Sequence, residues 1–198
     1  MKKILFVLAF TALWIPMNAQ QVSSRAKALR IMKFARPEYQ VKDVKIFTDT
    51  MTVYALADQV VYPIGRWNTV EQYITNNQLL WTRESDYKPY FDSMAVSVNR
   101  LRRLDGTYID LYRSITTGLT EILDAKITDA EVVLDNGIHP GMSKEDVFMV
   151  LFKKFPKSYT ADIHVLKVVS GAEEVGQIYT FRGNKLKHIR ITSKSKYY

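Results

Sequence analysis

The last third of the chain, residues 137–193, constrains the fold most strongly because it begins with clear helix signals. A turn containing Pro140 and Gly141 leads into Ser143, whose hydroxyl group can cap a helix. The following apolar residues recur at helical spacing and continue until Pro156, which cannot extend a helix. This segment therefore predicts a short amphipathic helix that begins at Ser143.

The rest of the same segment is typical of strands. Residues 163–169 predict a short strand, and residues 177–193 alternate between apolar and polar side chains on either side of Gly183 and Asn184. A two-residue Gly-Asn turn between alternating segments is characteristic of a β-hairpin. We therefore expect a short helix to lie across an antiparallel layer.

Upstream of residue 137 the chain alternates between strand and helix signals. Strand-like segments occur at 41–62, 94–101, 108–114 and 121–133, and a helix is predicted to begin at Asn68. Residues 81–93 mix aromatic and charged side chains without periodicity, which favours a partly exposed loop. Together these patterns predict the α+β class, with an antiparallel sheet packed by short helices.

The two halves of the chain also resemble each other faintly. A Pro-Gly turn precedes a helix start at Asn68 and again at Ser143, and residues 109–114 resemble residues 178–183. This similarity suggests two tandem helix-plus-sheet modules. We expect an N-terminal module over residues 21–130 and a C-terminal module over residues 131–198.

Residues 1–20 have the three parts of a secretory signal peptide. Two lysines are followed by a short apolar run from Ile4 to Ile15 and then by small and polar residues around Ala19. The apolar run is shorter than the roughly 20 residues that span a bilayer. We therefore expect an exported protein with no membrane segment after signal cleavage, either periplasmic or secreted.

The chain contains no cysteine, which excludes disulfides, thiolate metal sites and a lipid anchor on an N-terminal cysteine. Its formal net charge is +8, and removal of Lys2 and Lys3 with the predicted signal leaves +6. Because export argues against nucleic acid as a partner, two interpretations of this charge remain. The favoured one is a solvated basic surface, and the other is attraction to an anionic envelope surface or an acidic partner.

Residues 141–147 (Gly-Met-Ser-Lys-Glu-Asp-Val), with the helix that follows and the hairpin at 177–189, resemble a BamE/SmpA-type envelope module. The beta-lactamase-inhibitor proteins consist of two such modules in tandem. The resemblance covers residues 137–193. It implies an α+β fold, export and a non-catalytic role in binding proteins or envelope components. The cysteine that carries the lipid in outer-membrane assembly members of this family is absent here.

The sequence shows no signature of catalysis, of a metal site or of a cofactor. The three histidines, His139, His164 and His188, are far apart in sequence and show no zinc-binding spacing. Aromatic residues crowd into the segment predicted as a loop, and exposed aromatic residues often anchor binding surfaces. The candidate partner-binding residues are Trp81, Arg83, Tyr87, Tyr90 and Phe91.

We therefore expect a soluble, non-catalytic binding protein that recognises a protein or cell-envelope component by surface contacts. The alternative is an envelope enzyme, or an enzyme accessory, that acts on a polymer through scattered carboxylates such as Asp124 with Asp129 or Glu84 with Asp86. The sequence does not indicate the oligomeric state.

Overall fold

The computed structural model of the protein describes residues 33–34, 40–56, 60, 62–77, 79–90, 94–115, 117–155, 157–170 and 175–193. Strands dominate these residues. The strands are β1 (Lys33–Phe34), β2 (Gln40–Phe47), β3 (Thr50–Leu56), β4 (Thr82–Tyr90), β5 (Met94–Arg102), β6 (Tyr108–Arg113), β7 (Thr120–Ile127), β8 (Phe152–Lys154), β9 (Val165–Ser170), β10 (Val175–Arg182) and β11 (Lys185–Ser193). The helices in the described ranges are α1 (Val70–Asn77), α2 (Lys144–Leu151) and the single turn α3 (Lys157–Thr160). None of them has the length and apolar character needed to cross a lipid bilayer.

Nine of the strands form one sheet in the order β2-β3-β9-β10-β11-β7-β6-β5-β4, and β1 pairs separately with β8. Neighbouring strands in the large sheet are antiparallel except β3 and β9, which run parallel. The prediction of an α+β fold built from an antiparallel sheet, as one or two helix-plus-sheet modules, is therefore wrong. The protein is closer to an all-β protein with one large mixed sheet.

The strands of the C-terminal hairpin lie inside this sheet rather than in a sheet of their own. Strand β9 pairs with β3 on one side, and β11 pairs with β7 on the other. Sequence periodicity indicates which side chains share a face but not which strands are neighbours. The similarity between the two halves of the chain therefore could not predict this strand order. Strands from both predicted modules thus share one sheet, and the predicted boundary at residue 130 stays a prediction.

One face of the sheet carries the core. A continuous row of apolar side chains crosses six adjacent strands at paired positions. Ile46 at the margin is half-buried, and the others are fully buried: Met51, Leu166, Tyr179, Ile189 and Ile127. Helices α1 and α2 contribute Tyr73, Val147 and Phe148 to the same apolar cluster. We call the opposite side of this sheet the outer sheet face.

Helix α2 begins as predicted. The Ser143 hydroxyl accepts a hydrogen bond from the backbone N–H of Asp146 at 3.1 Å, which confirms the N-cap. The helix ends at Leu151, earlier than Pro156, because the next three residues form β8 and pair with β1. On its buried side, the ring of Phe148 lies 5.3 to 6.4 Å from the rings of Phe152, Phe155 and Phe181, which attaches the helix to the sheet.

The C-terminal hairpin is confirmed, with β10 and β11 joined at Gly183 and Asn184. The backbone of Gly183 has φ = 57°, a left-handed conformation that glycine adopts without steric cost. The predicted loop over 81–93 is wrong, because residues 82–90 form the edge strand β4. An edge strand exposes much of its length to water, so β4 carries charged residues where a central strand would alternate.

Candidate functional site

The outer sheet face carries an ordered row of basic side chains. Residues that are paired across a sheet project from the same face, so the strand register places one residue from each of eight neighbouring strands in a single row. In order across the sheet, this row consists of Lys45, Thr52, Lys167, Ile178, Arg190, Lys126, Tyr108 and Arg102. We call its five basic members, Lys45, Lys167, Arg190, Lys126 and Arg102, the cation row.

The cation row follows from alternation in each strand. The sequence neighbours of the central basic residues are buried in the core: Leu166 and Val168 beside Lys167, Ile189 and Ile191 beside Arg190, and Ala125 and Ile127 beside Lys126. Their basic partners therefore project to the opposite side. All five members of the cation row are exposed except Lys167, which is half-buried.

The lysines of the cation row differ from its arginines in their partners. Nε of Arg102 lies 3.4 Å from a carboxylate oxygen of Glu84, and Nε of Arg190 lies 3.8 Å from Asp124. In the described part of the chain, no carboxylate oxygen lies within 4 Å of the ammonium groups of the three lysines, Lys45, Lys126 and Lys167. Among the described residues, Lys126 and Lys167 can therefore offer their charge without first breaking an ion pair, whereas Lys45 donates a hydrogen bond to the Tyr54 hydroxyl at 3.3 Å and lies over its ring.

His188 stands beside the row on strand β11 and pairs with Thr180 of β10. Its pKa is lowered from the ordinary value of 6.5, first by partial burial and then by the positive charges of Lys126, Lys187 and Arg190. The part of this depression that comes from the three charges reflects a positive potential at the middle of the outer sheet face. An anion bound there would oppose the depression.

Carboxylates of the outer sheet face are engaged in hydrogen bonds within the sheet. Arg100 binds Asp110 through both of its oxygen atoms, with Nε 2.5 Å from Oδ1 and Nη2 in contact with Oδ2. The neighbouring Asp124 accepts a hydrogen bond from the hydroxyl group of Tyr108 at 2.6 Å. Cross-strand pairing sets Asp110 directly opposite Asp124, and Arg100 offsets the charge of this acidic pair.

Glu121, at the start of β7, forms a buried polar cluster. Its carboxylate accepts hydrogen bonds from the hydroxyl groups of Tyr112 at 2.7 Å, Thr117 at 2.9 Å and Tyr62 at 3.4 Å. The residue is 3% exposed, so this carboxylate has little access to a ligand. Burial, followed by the charge of Glu121, raises the pKa of Tyr62. These hydrogen bonds join β7 to β6 and to the segments that carry Tyr62 and Thr117.

The described candidate residues lie on strand β4 or directly before it, and two of them have side chains whose contacts the structure describes. Trp81 is half-buried against the core, where its ring lies 6.3 Å from the ring of Tyr73 and 5.8 Å from the guanidinium of Arg103. Arg83 donates hydrogen bonds to Glu71 of α1 at 2.6 Å and to the side-chain oxygen of Asn99 at 2.7 Å. Packing therefore holds Trp81, whose indole nitrogen is buried without a hydrogen-bond partner among the described residues, and hydrogen bonds hold Arg83. A partner-binding role for both residues stays a prediction.

The remaining candidates lie on or beyond β4. The backbones of Tyr87 and Tyr90 belong to this strand and pair with Ser97 and Met94 of β5. Phe91 lies outside the described residues. A partner-binding role for these residues stays a prediction, and their position on the edge strand separates them from the middle of the cation row.

The two members of the suggested carboxylate pair Asp124 and Asp129 have different partners, and the side chain of Asp86 in the other pair lies outside the described residues. Asp129 is bound to Nε of Arg103 at 2.5 Å, whereas Asp124 is held by Tyr108. Within the described ranges, no group of three or more histidine or acidic side chains could hold a metal ion. His139 contacts the backbone oxygen of Pro140 at 2.9 Å.

A groove of about 390 Å³ lies on the other side of the sheet, between α2, α3 and the turn of the C-terminal hairpin. Lys144 lines it and is 6% exposed, and its ammonium donates to the backbone oxygens of Thr160 and Ala161 at 3.0 Å each. Burial lowers the pKa of Lys144. These two carbonyls lie at the C-terminal end of α3, so the hydrogen bonds of Lys144 join α2 to α3 and explain why this lysine is buried.

Sequence reasoning missed the cation row because its members come from distant parts of the chain. The available signal was local, since Lys126, Lys167 and Arg190 each interrupt an apolar strand pattern at a single position. Taken one at a time, such positions predict only ordinary solvated charges. Only the order of strands, which brings β9, β11 and β7 together, shows that they lie in one row.

Comparisons with known proteins assign no family to this chain. No protein-family model matches it, and neither the curated proteins nor the solved structures contain a significant match.

Proposed function

We propose that this is an exported, non-catalytic binding protein that recognises an anionic protein or cell-envelope component through its outer sheet face. The observation that carries the proposal is the cation row, in which five strands each contribute a basic side chain to one exposed line. Three of these side chains, Lys45, Lys126 and Lys167, have no carboxylate within 4 Å among the described residues.

The charge distribution supports recognition of an anion rather than catalysis. The carboxylates of this face serve as acceptors for Arg100, Tyr108 and other neighbours, and Glu121 is buried. A general acid or base must reach the proton that it transfers, and Asp110 and Glu121 are buried and engaged in hydrogen bonds within the sheet. Basic side chains, by contrast, are presented to solvent and can steer an anionic partner to the face.

The resemblance to BamE/SmpA-type envelope modules agrees with this proposal at the level of function. That resemblance covers residues 137–193 and implies surface recognition in the envelope, without lipid attachment, because the chain has no cysteine. The proposal itself depends on the side chains of the outer sheet face.

The test is photo-crosslinking in the intact envelope. A photoreactive amino acid at Ile178, in the middle of the row, should give covalent adducts, and the yield should fall when Lys126 and Lys167 are both changed to Gln. The matched control replaces Met149, which is 51% exposed on helix α2 at the other side of the sheet. Equal adduct yields at positions 178 and 149, or none at position 178, would rule out this face as the binding surface.

A further inference from the structure

The spacing of the cation row indicates which kind of anion fits it. Strands in a sheet lie about 4.8 Å apart, so the seven steps from Lys45 on β2 to Arg102 on β5 span about 34 Å. Basic side chains recur along this line at intervals of one or two strands. A single small anion would reach one or two of these side chains, whereas a chain of repeated negative charges would reach all five.

Because the sheet twists, a flat partner cannot contact the whole cation row at once. Adjacent strands are rotated by about 20 to 25° relative to each other. Over the seven steps between Lys45 and Arg102, this rotation accumulates to about 150°. A planar anionic surface such as a membrane could therefore touch the middle of the row but not both ends, while a flexible linear polymer can follow the twist.

The groups beside the cations suit sugar residues. Thr52, Thr180 and Thr192 lie on the same face and offer hydroxyl groups that can both donate and accept hydrogen bonds. Tyr54 and Tyr108 are half-buried on this face, and each ring has a cation over it, Lys45 at 4.7 Å from Tyr54 and Arg100 at 5.3 Å from Tyr108. A sugar would contact the part of each ring that the cation leaves open. Three of the five cations are lysines, which are depleted at protein–protein interfaces.

We infer that the outer sheet face binds a linear acidic polysaccharide, which lies across the strands and places its charged groups against the cation row. This inference rests on the proposed function and narrows its anionic partner to one chemical class. The lysines supply point charges, and the threonine hydroxyls and tyrosine rings contact the sugar units between them.

Oligomers of polygalacturonate, which carry one carboxylate per sugar, are a suitable probe. Binding of fluorescent oligomers to the purified protein, measured by anisotropy, should strengthen with chain length and then level off once the chain spans about 34 Å. Changing both Lys126 and Lys167 to Gln should weaken binding of the longest oligomer about tenfold, since exposed ion pairs each contribute below about 1 kcal/mol.

The matched control changes Lys157 and Arg113 to Gln. Both side chains are exposed, and neither belongs to the cation row, so this variant has the same net charge as the first. This control variant should bind the oligomers with the same affinity as the unchanged protein. Equal losses in the two double variants would show that only the overall charge matters, and would overturn the inference. Urea unfolding of both variants establishes that each is folded.

Three further probes separate the possible partners. Neutral dextran should not compete for the oligomers, and its competition would show that charge is irrelevant. Poly-glutamate of equal length and charge should bind more weakly than the glycan. Vesicles containing phosphatidylglycerol should also bind more weakly than the glycan at equal anionic charge. Equal or tighter binding of either one would overturn the assignment to a polysaccharide.

Outcomes for the two proposals differ. If position 178 crosslinks to a partner in the envelope but polygalacturonate does not bind, the polysaccharide assignment fails and the binding function stands. If neither crosslinking nor oligomer binding occurs at this face, both proposals fail.

Discussion

The pair formed by Arg100 and Asp110 makes a sharp test of how the outer sheet face is held together. Changing Asp110 to Asn keeps the size of the side chain and removes its charge. In the native protein, the guanidinium of Arg100 donates hydrogen bonds to both carboxylate oxygens of Asp110, and these bonds raise the pKa of Arg100. The substitution therefore removes a two-pronged charged interaction that joins β5 to β6.

The expected cost follows from the burial of the two side chains. Asp110 is 2% exposed and Arg100 is 32% exposed. Breaking a buried ion pair costs about 3 to 5 kcal/mol, chiefly because the remaining charge is left without a partner. Arg100 can be partly rehydrated, so we expect the lower end of this range, about 3 kcal/mol of unfolding free energy.

Urea unfolding followed by circular dichroism measures this cost. The midpoint should fall while the slope of free energy against urea stays constant, as expected for a change in stability alone. A thermal midpoint lower by roughly 6 to 12 °C should accompany it, since 1 kcal/mol corresponds to about 2 to 4 °C at this chain length. The double variant Arg100→Met with Asp110→Asn should lose less than the sum of the two single variants. A loss below about 1 kcal/mol in Asp110→Asn would refute the assignment of Asp110 as a buried, charge-paired group.

Four further predictions concern other parts of the molecule. Phe148→Ala should lower the unfolding free energy by about 4 kcal/mol, because a fully buried ring is lost from contact with three other rings; the exposed neighbour variant Met149→Ala should change it by under about 0.5 kcal/mol in the same urea titration. Ser143→Ala should cost about 1 kcal/mol through loss of the helix cap, and a negligible change in the urea midpoint would contradict the capping role. The pKa of His188 lies below 6.5 in the folded protein, so the unfolded chain binds more protons just below pH 6.5, and stability should fall as the pH drops through this window. Lys126→Gln removes one repelling charge and should raise the pKa of His188, as measured by NMR; an unchanged value would show that the positive potential comes from elsewhere.

Local elements could be predicted from the sequence where short-range chemistry determines them. The cap at Ser143 and the turn at Gly183 and Asn184 depend on groups within a few residues of each other, and the structure confirms both. Helix α1 was also expected near Asn68, and the structure begins it at Val70. These features require no knowledge of how distant segments pair.

The features that could not be predicted depend on strand order. Strand β9 inserts beside β3 in parallel, and no periodicity in either segment indicates that neighbour. Strand β4 lacks clear alternation because it lies at an edge, so it resembled a loop. The cation row depends on strand order as well, since Lys167 and Arg190 meet Lys126 only after β9, β10, β11 and β7 are assembled.

Stability and recognition are assigned to different side chains of the same face, and this separation is itself testable. At the β5 and β6 side, Arg100 is bound to Asp110, so a change there should alter folding. The lysines toward β9 and β7 have no carboxylate within 4 Å among the described residues, so neutralising Lys126 or Lys167 should leave the unfolding free energy within about 0.5 kcal/mol of the unchanged protein. If the lysine variants lose anion binding without losing stability, the loss must arise from the lysines and not from unfolding of the sheet that they share with Arg100 and Asp110. A binding loss that always accompanies unfolding would instead mean that the face is only a solvated surface of the sheet.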